Sequence, residues 1–161
     1  MKTSHLSHNH FRADVHVLTL LLLIMSTGCG GGSSSGGASS GDAVGEFAKI
    51  VNDYRESVGC QPLSWDDRLA SVATAHSEDM RQRKYISHRT PDGVGFEDRL
   101  RSAGYSSGAE NIAAGYGLAK GAVEALVASP SHRANLDNCS YAFHGAGVSN
   151  LGGIWTHMIA R

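Results

Sequence analysis

Two imidazoles and one carboxylate are the residues of this chain best placed to do chemistry. His88 and His132 lie beside turn residues, in Ser87-His88-Arg89-Thr90-Pro91 and Ser129-Pro130-Ser131-His132-Arg133, where side chains are well placed to face a cleft. Glu110 lies midway, 22 residues from each, where the chain enters the apolar stretch Ile112-Ala113-Ala114. A carboxylate at such a boundary must be solvated or paired, because burying it alone is expensive. If the three meet in space they could hold a divalent metal or exchange protons. His76 belongs to a helical stripe and reads as packed or half-buried; with Glu78 it spells H-x-E, but residues two apart on a helix face different ways. His144 and His157 fall in strand-like segments and read as surface or pocket-edge residues. H-E-x-x-H, G-x-S-x-G, a P-loop, G-x-G-x-x-G and the P-C-x-x-C of zinc deaminases are all absent.

The elements that must position these residues are legible from periodicity. Asp42 is a good N-cap, and Val44, Phe47, Ile50, Val51, Tyr54 and Val58 follow at helical spacing until Gly59. Ser64 is expected to cap a second helix, with Asp66 and Asp67 at its positive end and Leu69, Val72, Ala73, His76 and Met80 facing inward. Thr90-Pro91-Asp92-Gly93 signals a turn. A short helix over 95–103, a strand near 112–114 and a helix over 118–128, stopped by Pro130, come next. The period then changes, and 142–148 and 154–160 read as strands joined by a hairpin loop at 149–153. Helices first and a terminal hairpin later argue for an α+β fold.

Composition narrows the setting. The chain has 161 residues and a net charge of −1, which excludes a polybasic nucleic-acid binder. Three cysteines are too few for a disulfide scaffold or a four-cysteine zinc site. Residues 15–25 are mostly apolar; a bilayer span needs about 20 such residues, so the run suits a signal-peptide core, with Lys2 and Arg12 before it. Ser26-Thr27-Gly28-Cys29 resembles the lipobox of a bacterial lipoprotein signal, although Ser26 stands where leucine is usual. A plain secretory signal with an incidental cysteine is the alternative. The Gly/Ser tract that follows suits a flexible tether. The expected organisation is a signal peptide over 1–28, a lipidated Cys29 with its linker over 29–45, and a folded domain over 46–161. Acylation of Cys29 would place the protein on the membrane of the cell envelope. Removal of the leader would take His5, His8, His10 and His16 with it. Cys60 and Cys139 would then be the remaining thiols; outside the cytoplasm they are expected to pair, two buried free thiols being the alternative.

The order of segments resembles the CAP superfamily, which groups cysteine-rich secretory proteins, venom antigens and plant pathogenesis-related proteins, in its short bacterial form. The resemblance rests on Val51-Asn52-Asp53-Tyr54-Arg55, Gln61-Pro62-Leu63-Ser64-Trp65-Asp66, Ala75-His76-Ser77-Glu78-Asp79-Met80 and Ile86-Ser87-His88. It continues through Asp92-Gly93, Arg99-Leu100, Gly104-Tyr105, Glu110-Asn111-Ile112-Ala113, the Ser129-Pro130-Ser131-His132-Arg133 motif, and Gly147-Val148 before Ile154-Trp155-Thr156. It implies an α-β-α sandwich with a central antiparallel sheet and a cleft holding two histidines and two acids. The histidines map onto His88 and His132 and one acid onto Glu110. Ser129 occupies the place of the second acid, Leu126 that of a customary aromatic, and Asn111 and Ser129 line the cleft.

With one acid missing, the resemblance points to a non-enzymatic binding module for a lipid, a glycan or another envelope partner. Two imidazoles could hold Zn²⁺ with waters completing the shell. The alternative is a metal-assisted hydrolase of peptides or envelope polymers, with zinc on His88 and His132 and Glu110 activating water as the catalytic residue.

Overall fold

A computed structural model describes residues 39–150 and 153–161; the expected signal peptide, Cys29 and most of the Gly/Ser tract lie outside the described residues. The first helix, α1 (Ser40–Ser57), starts earlier than its apolar pattern suggests. Ser39 is the cap, accepting from the Asp42 N–H, while the Asp42 carboxylate accepts from the Ser39 N–H. This reciprocal pair satisfies two otherwise orphaned donors, so Asp42 is the third residue of the helix and not its cap. The helix thus begins two residues before Asp42, and the end of the stretch given to the linker over 29–45 is helical.

The second helix also starts differently. Ser64 does not cap it; Ser64–Trp65 form a short strand, β1, and Asp66 caps α2 (Asp67–Arg83) by accepting from the N–H groups of Arg68 and Leu69. There follow α3 (Phe96–Ser102), β2 (Gly108–Ala114), α4 (Ala119–Ala128), α5 (Pro130–Leu136), β3 (Phe143–Val148) and β4 (Ile154–Ala160). Pro130 ends α4 as expected but also opens α5, at a first-turn position where a proline's missing N–H is no loss. His132 therefore lies in a helix and not in a loop.

The strands form one sheet in the order β1-β3-β4-β2. The β2, β4 and β3 pairings are antiparallel, as expected, but β1 runs parallel to β3, so the sheet is mixed. Alternation along β4 gives the sheet two apolar faces. Trp155 and Ile159 join Phe47, Val51, Leu126 and Leu136 from α1, α4 and α5. Met158 and Ala160 join Leu69, Ala73 and Leu100 from α2 and α3. The result is the helix–sheet–helix layering of an α+β sandwich. On the second face α2 lies directly against the backbone of β3: a Cβ on Gly145 would come 2.1 Å from the Ala70 nitrogen, and one on Gly147 2.3 Å from the Thr74 Cα.

The C-terminal half is tied to α1 in two ways. Cys60 and Cys139 form a disulfide across 79 residues. Beside it the fully buried Arg55 donates to the carbonyls of Gln61, Leu136 and Asn138, at 3.1, 2.8 and 3.0 Å. Closing a loop of this length stabilises the fold by about 4–5 kcal/mol in the chain-entropy picture. A Cys60→Ser, Cys139→Ser double variant is expected to lose about 2–5 kcal/mol in urea unfolding. An unchanged midpoint would show that Arg55 alone suffices.

His144 and His157 are core residues, contrary to the surface or pocket-edge placement expected of them. His144 Nδ1 and His157 Nε2 lie 3.1 Å apart, and the pair packs edge-on against Trp65 and Phe47. Burial, with the Arg55 charge nearby, pushes His144 down to about 4, and burial pushes His157 well below the ordinary imidazole value. Both are neutral in the folded state and charge readily once unfolded, so protons favour unfolding. Stability should be level above about pH 7 and fall between about pH 6.5 and 4, with His144 alone removing about 3 kcal/mol. Denaturation midpoints between these values test this, and a His157→Phe variant should show a shallower decline.

Candidate functional site

β2 is the edge strand next to β4, and its alternation sends neighbouring side chains to opposite faces. Glu110 faces the α2 and α3 layer, and Asn111 faces α5. The Glu110 side chain has no exposed surface. Arg99, brought in by α3, donates to it three times: Nε to Oε2 at 3.0 Å, Nη2 to Oε2 at 2.7 Å and Nη2 to Oε1 at 2.9 Å. His88 Nδ1 lies 2.8 Å from Oε1. A carboxylate accepts, so the hydrogen in this bond sits on Nδ1 and His88 Nε2 is the nitrogen left free, on a half-exposed ring. The sequence pair His88 and Glu110 is thus brought together.

Arg99 does more than neutralise Glu110. Its Nη2 also donates to the His88 carbonyl at 2.8 Å. One planar fork therefore fixes both the carboxylate and the loop that carries the imidazole. The helix that presents Arg99 is short, and its start is held by the Gly95 N–H donating to the Asp98 carboxylate at 2.9 Å. His76 completes the cluster from α2: its Nε2 is 2.9 Å from the Ser87 carbonyl and 4.0 Å from Glu110 Oε1. It is buried, as expected, but it also touches the site.

His132 approaches from the other layer. Asn111, fully buried, donates to the His132 carbonyl at 3.2 Å and accepts from Asn135 at 2.8 Å, which fastens the first turn of α5 to β2. Burial lowers the His132 pKa, and the positive potential of His88 adds to this. No hydrogen bond joins His132 to Glu110 among the described residues; the two lie across the sheet edge. Beside His132 is a cavity of about 260 Å³ whose wall includes Tyr116, Leu126 and Ser129. Ser129 Oγ lies 3.3 Å from Ser131 Oγ. Among the described residues no three His, Cys, Asp or Glu side chains are grouped to hold a metal ion.

The sequence requires Glu110 to be solvated or paired and names no partner. The signal was Arg99, a cation on a short helix between His88 and Glu110, whose role appears only when burial leaves the carboxylate no water.

The family model for the cysteine-rich secretory protein (CAP) family matches residues 48–159. The chain belongs to the CAP family. Two Bacillus subtilis proteins resemble it: the uncharacterised protein YkwD, 34% identical over 113 residues, and the uncharacterised membrane protein YlbC, 37% identical over 105 residues. The matches cover 69% and 64% of this chain but 44% and 30% of those proteins, so it spans less than half their length. An SCP-domain-containing extracellular protein from Bacillus anthracis superposes with a TM-score of 0.70 at 28% identity, over 79% of this chain and 45% of that one. An outer surface protein from Borrelia burgdorferi gives a TM-score of 0.70 at 19% identity, over 77% and 96% respectively, and shows the same fold.

Removing Arg99 from this CAP domain would leave Glu110 buried with no full charge to match it, and only the His88 N–H as a partner. Arg99→Met should cost about 3–5 kcal/mol of unfolding free energy. Arg99→Lys should restore only part of it, because one ammonium cannot match the two carboxylate oxygens and the His88 carbonyl with a planar fork. Wild-type stability in the lysine variant would show that charge alone matters.

Proposed function

We propose that this CAP domain is an exported binding module that holds a saccharide unit of the cell envelope in the cleft along β2, and that it carries out no reaction there. The engagement of Glu110 carries this reading. Both of its oxygens accept from Arg99, one also from His88, and its side chain is wholly buried. A general base must reach its substrate's proton directly or through one water. Ser129, at the place of a second acid, does not ionise in the working range.

A saccharide suits the cavity beside His132 better than an acyl chain does. Tyr116 offers a partly exposed aromatic face, and Ser129 and His132 offer hydrogen-bonding groups. Export is supported by the apolar run at 15–25, by the Cys60–Cys139 disulfide and by the extracellular protein from Bacillus anthracis that shares the domain. Acylation of Cys29 would hold the domain at the membrane, next to such a ligand.

The donor set fits a weakly held Zn²⁺ ion: the Glu110–His88 bond is the carboxylate–histidine arrangement that orients a metal-binding imidazole, and His132 would be the second ligand. It does not fit a catalytic zinc site with three protein ligands, and no hydrolytic step is assigned to it.

Titration with soluble fragments of envelope polysaccharide tests the reading. Binding should weaken at least about tenfold in His132→Ala and in Tyr116→Ala, with the fragments recovered intact. Cleaved fragments, or binding confined to lipid vesicles, would contradict it.

A further inference from the structure

The main chain of β2 carries donors and acceptors that the sheet leaves unused. The Gly115 N–H donates to the Gly153 carbonyl at 3.1 Å and the Arg161 N–H to the Ser107 carbonyl at 3.3 Å, both in line with the β2–β4 register. Hydrogen-bonded pairs alternate along an antiparallel ladder, so Ala109, Asn111 and Ala113 bond to β4. Glu110, Ile112 and Ala114 therefore turn their N–H and C=O groups to the free edge of the sheet. The other side of β4 keeps the same phase: the Ser149 N–H donates to the Ile154 carbonyl, so the even-numbered residues of β4 serve β3 and the odd-numbered ones serve β2. Among the described residues the edge groups of Ile112 and Ala114 have no hydrogen-bond partner. Ile112 is only 8% exposed, and an orphaned main-chain donor and acceptor at that depth cost free energy until something bonds to them.

These groups face the cavity of about 260 Å³ beside His132. Side chains alternate across the sheet, and those of Ile112 and Ala114 share the face of Glu110, turned to the α2 and α3 layer. Both residues nonetheless line the cavity, which lies on the other face with Ala125, Leu126 and Ser129. Their main chain is therefore what lines it. The cavity thus combines strand-edge N–H and C=O groups, an apolar wall and a hydroxyl at the α4–α5 junction. None of its lining residues is an acid, a lysine or an arginine, which favours a neutral ligand. Its volume lies below the usual range for ligand sites, about 300–1,000 Å³, so it takes one small unit and not a run of them.

A secondary amide with a methyl group matches this set. Its C=O and N–H point in opposite directions, so one meets the strand edge while the other meets a hydroxyl. A plain hydroxyl in its place would leave the apolar wall without a partner. We propose that the saccharide unit held in this cavity is an N-acetylated amino sugar. Its acetamido carbonyl accepts from the Ile112 N–H, its N–H donates to Ser129 Oγ, and its methyl lies against Ala125 and Leu126. A neighbouring ring hydroxyl donates to the Ile112 carbonyl. This rests on the saccharide reading above and narrows it. An extended peptide also pairs with a free edge, but only Ile112 and Ala114 present edge groups here, and Gly115, at φ 90°, follows the end of the strand.

The test is ¹H–¹⁵N NMR of the full-length protein during titration with the β-1,4-linked trimer of N-acetylglucosamine, the matching glucose trimer and N-acetyl-trialanine methylamide. The N-acetylated trimer should bind at least about tenfold more tightly than the glucose trimer and move the Ile112 amide proton downfield saturably. Ala125→Leu, at a half-buried helix position, should fill the cavity and weaken binding at least about tenfold, and Ser129→Ala should weaken it about two- to tenfold. Equal binding of the glucose trimer would overturn the acetamido assignment and leave the saccharide reading standing. Failure of both sugars to bind would overturn the two together. Tighter binding of the peptide would overturn the assignment by giving the edge to a protein partner, and an unmoved Ile112 amide in a saturated complex would overturn it outright.

Discussion

A carboxylate with no exposed surface, set on the edge strand of the sheet, is the constraint around which this domain is arranged. Glu110 could not be left there alone, and the guanidinium that answers it reaches further than the carboxylate. Arg99 also grips the His88 carbonyl. The position of His88, the path of the chain from 88 to 94 and the docking of α3 thus all follow from one buried pair. On the opposite face Asn111, the next residue along β2, performs a parallel task with neutral groups by fastening α5.

This arrangement bears on function. Two residues that look like a catalytic pair in sequence are bonded to one another and to Arg99 in the fold. A group held in a fork of charge-assisted hydrogen bonds is a poor candidate for a proton shuttle and a good one for orienting an imidazole. What stays available is His88 Nε2 and, lining the cavity beyond β2, His132, the Tyr116 ring and the Ser129 hydroxyl, the groups on which the proposed saccharide site rests. The buried His144–His157 pair belongs to the core and takes no part in that cleft.

Much of this was legible in the sequence. The apolar stripes of α1, α2 and α4 and the alternation of β3 and β4 carry their own periods, and the pairing of Cys60 with Cys139 follows from counting thiols in a chain expected to be exported. The misreadings share a cause, because local signals do not report tertiary partners. Ser64 looked like a cap because nothing local says that it pairs with Phe143, and Pro130 looked only like a stop because α5 is too short to show a period. His144 and His157 looked peripheral because a polar residue in a strand usually is. Each buries its ring by hydrogen-bonding the other, and the partner lies 13 residues away. Arg99 was overlooked for a similar reason: a short, mostly charged helix gives no hint that one of its charges points inward.

The claim that Glu110 is engaged in structure, and not free for chemistry, is tested most directly by a double-mutant cycle on unfolding free energy with Arg99→Met and Glu110→Gln. The account predicts that the two changes couple by about 2–3 kcal/mol, each single variant leaving an unmatched buried group that the double variant relieves. Additive effects, with Glu110→Gln as stable as the parent protein, would contradict it and return the carboxylate to the list of groups free to react.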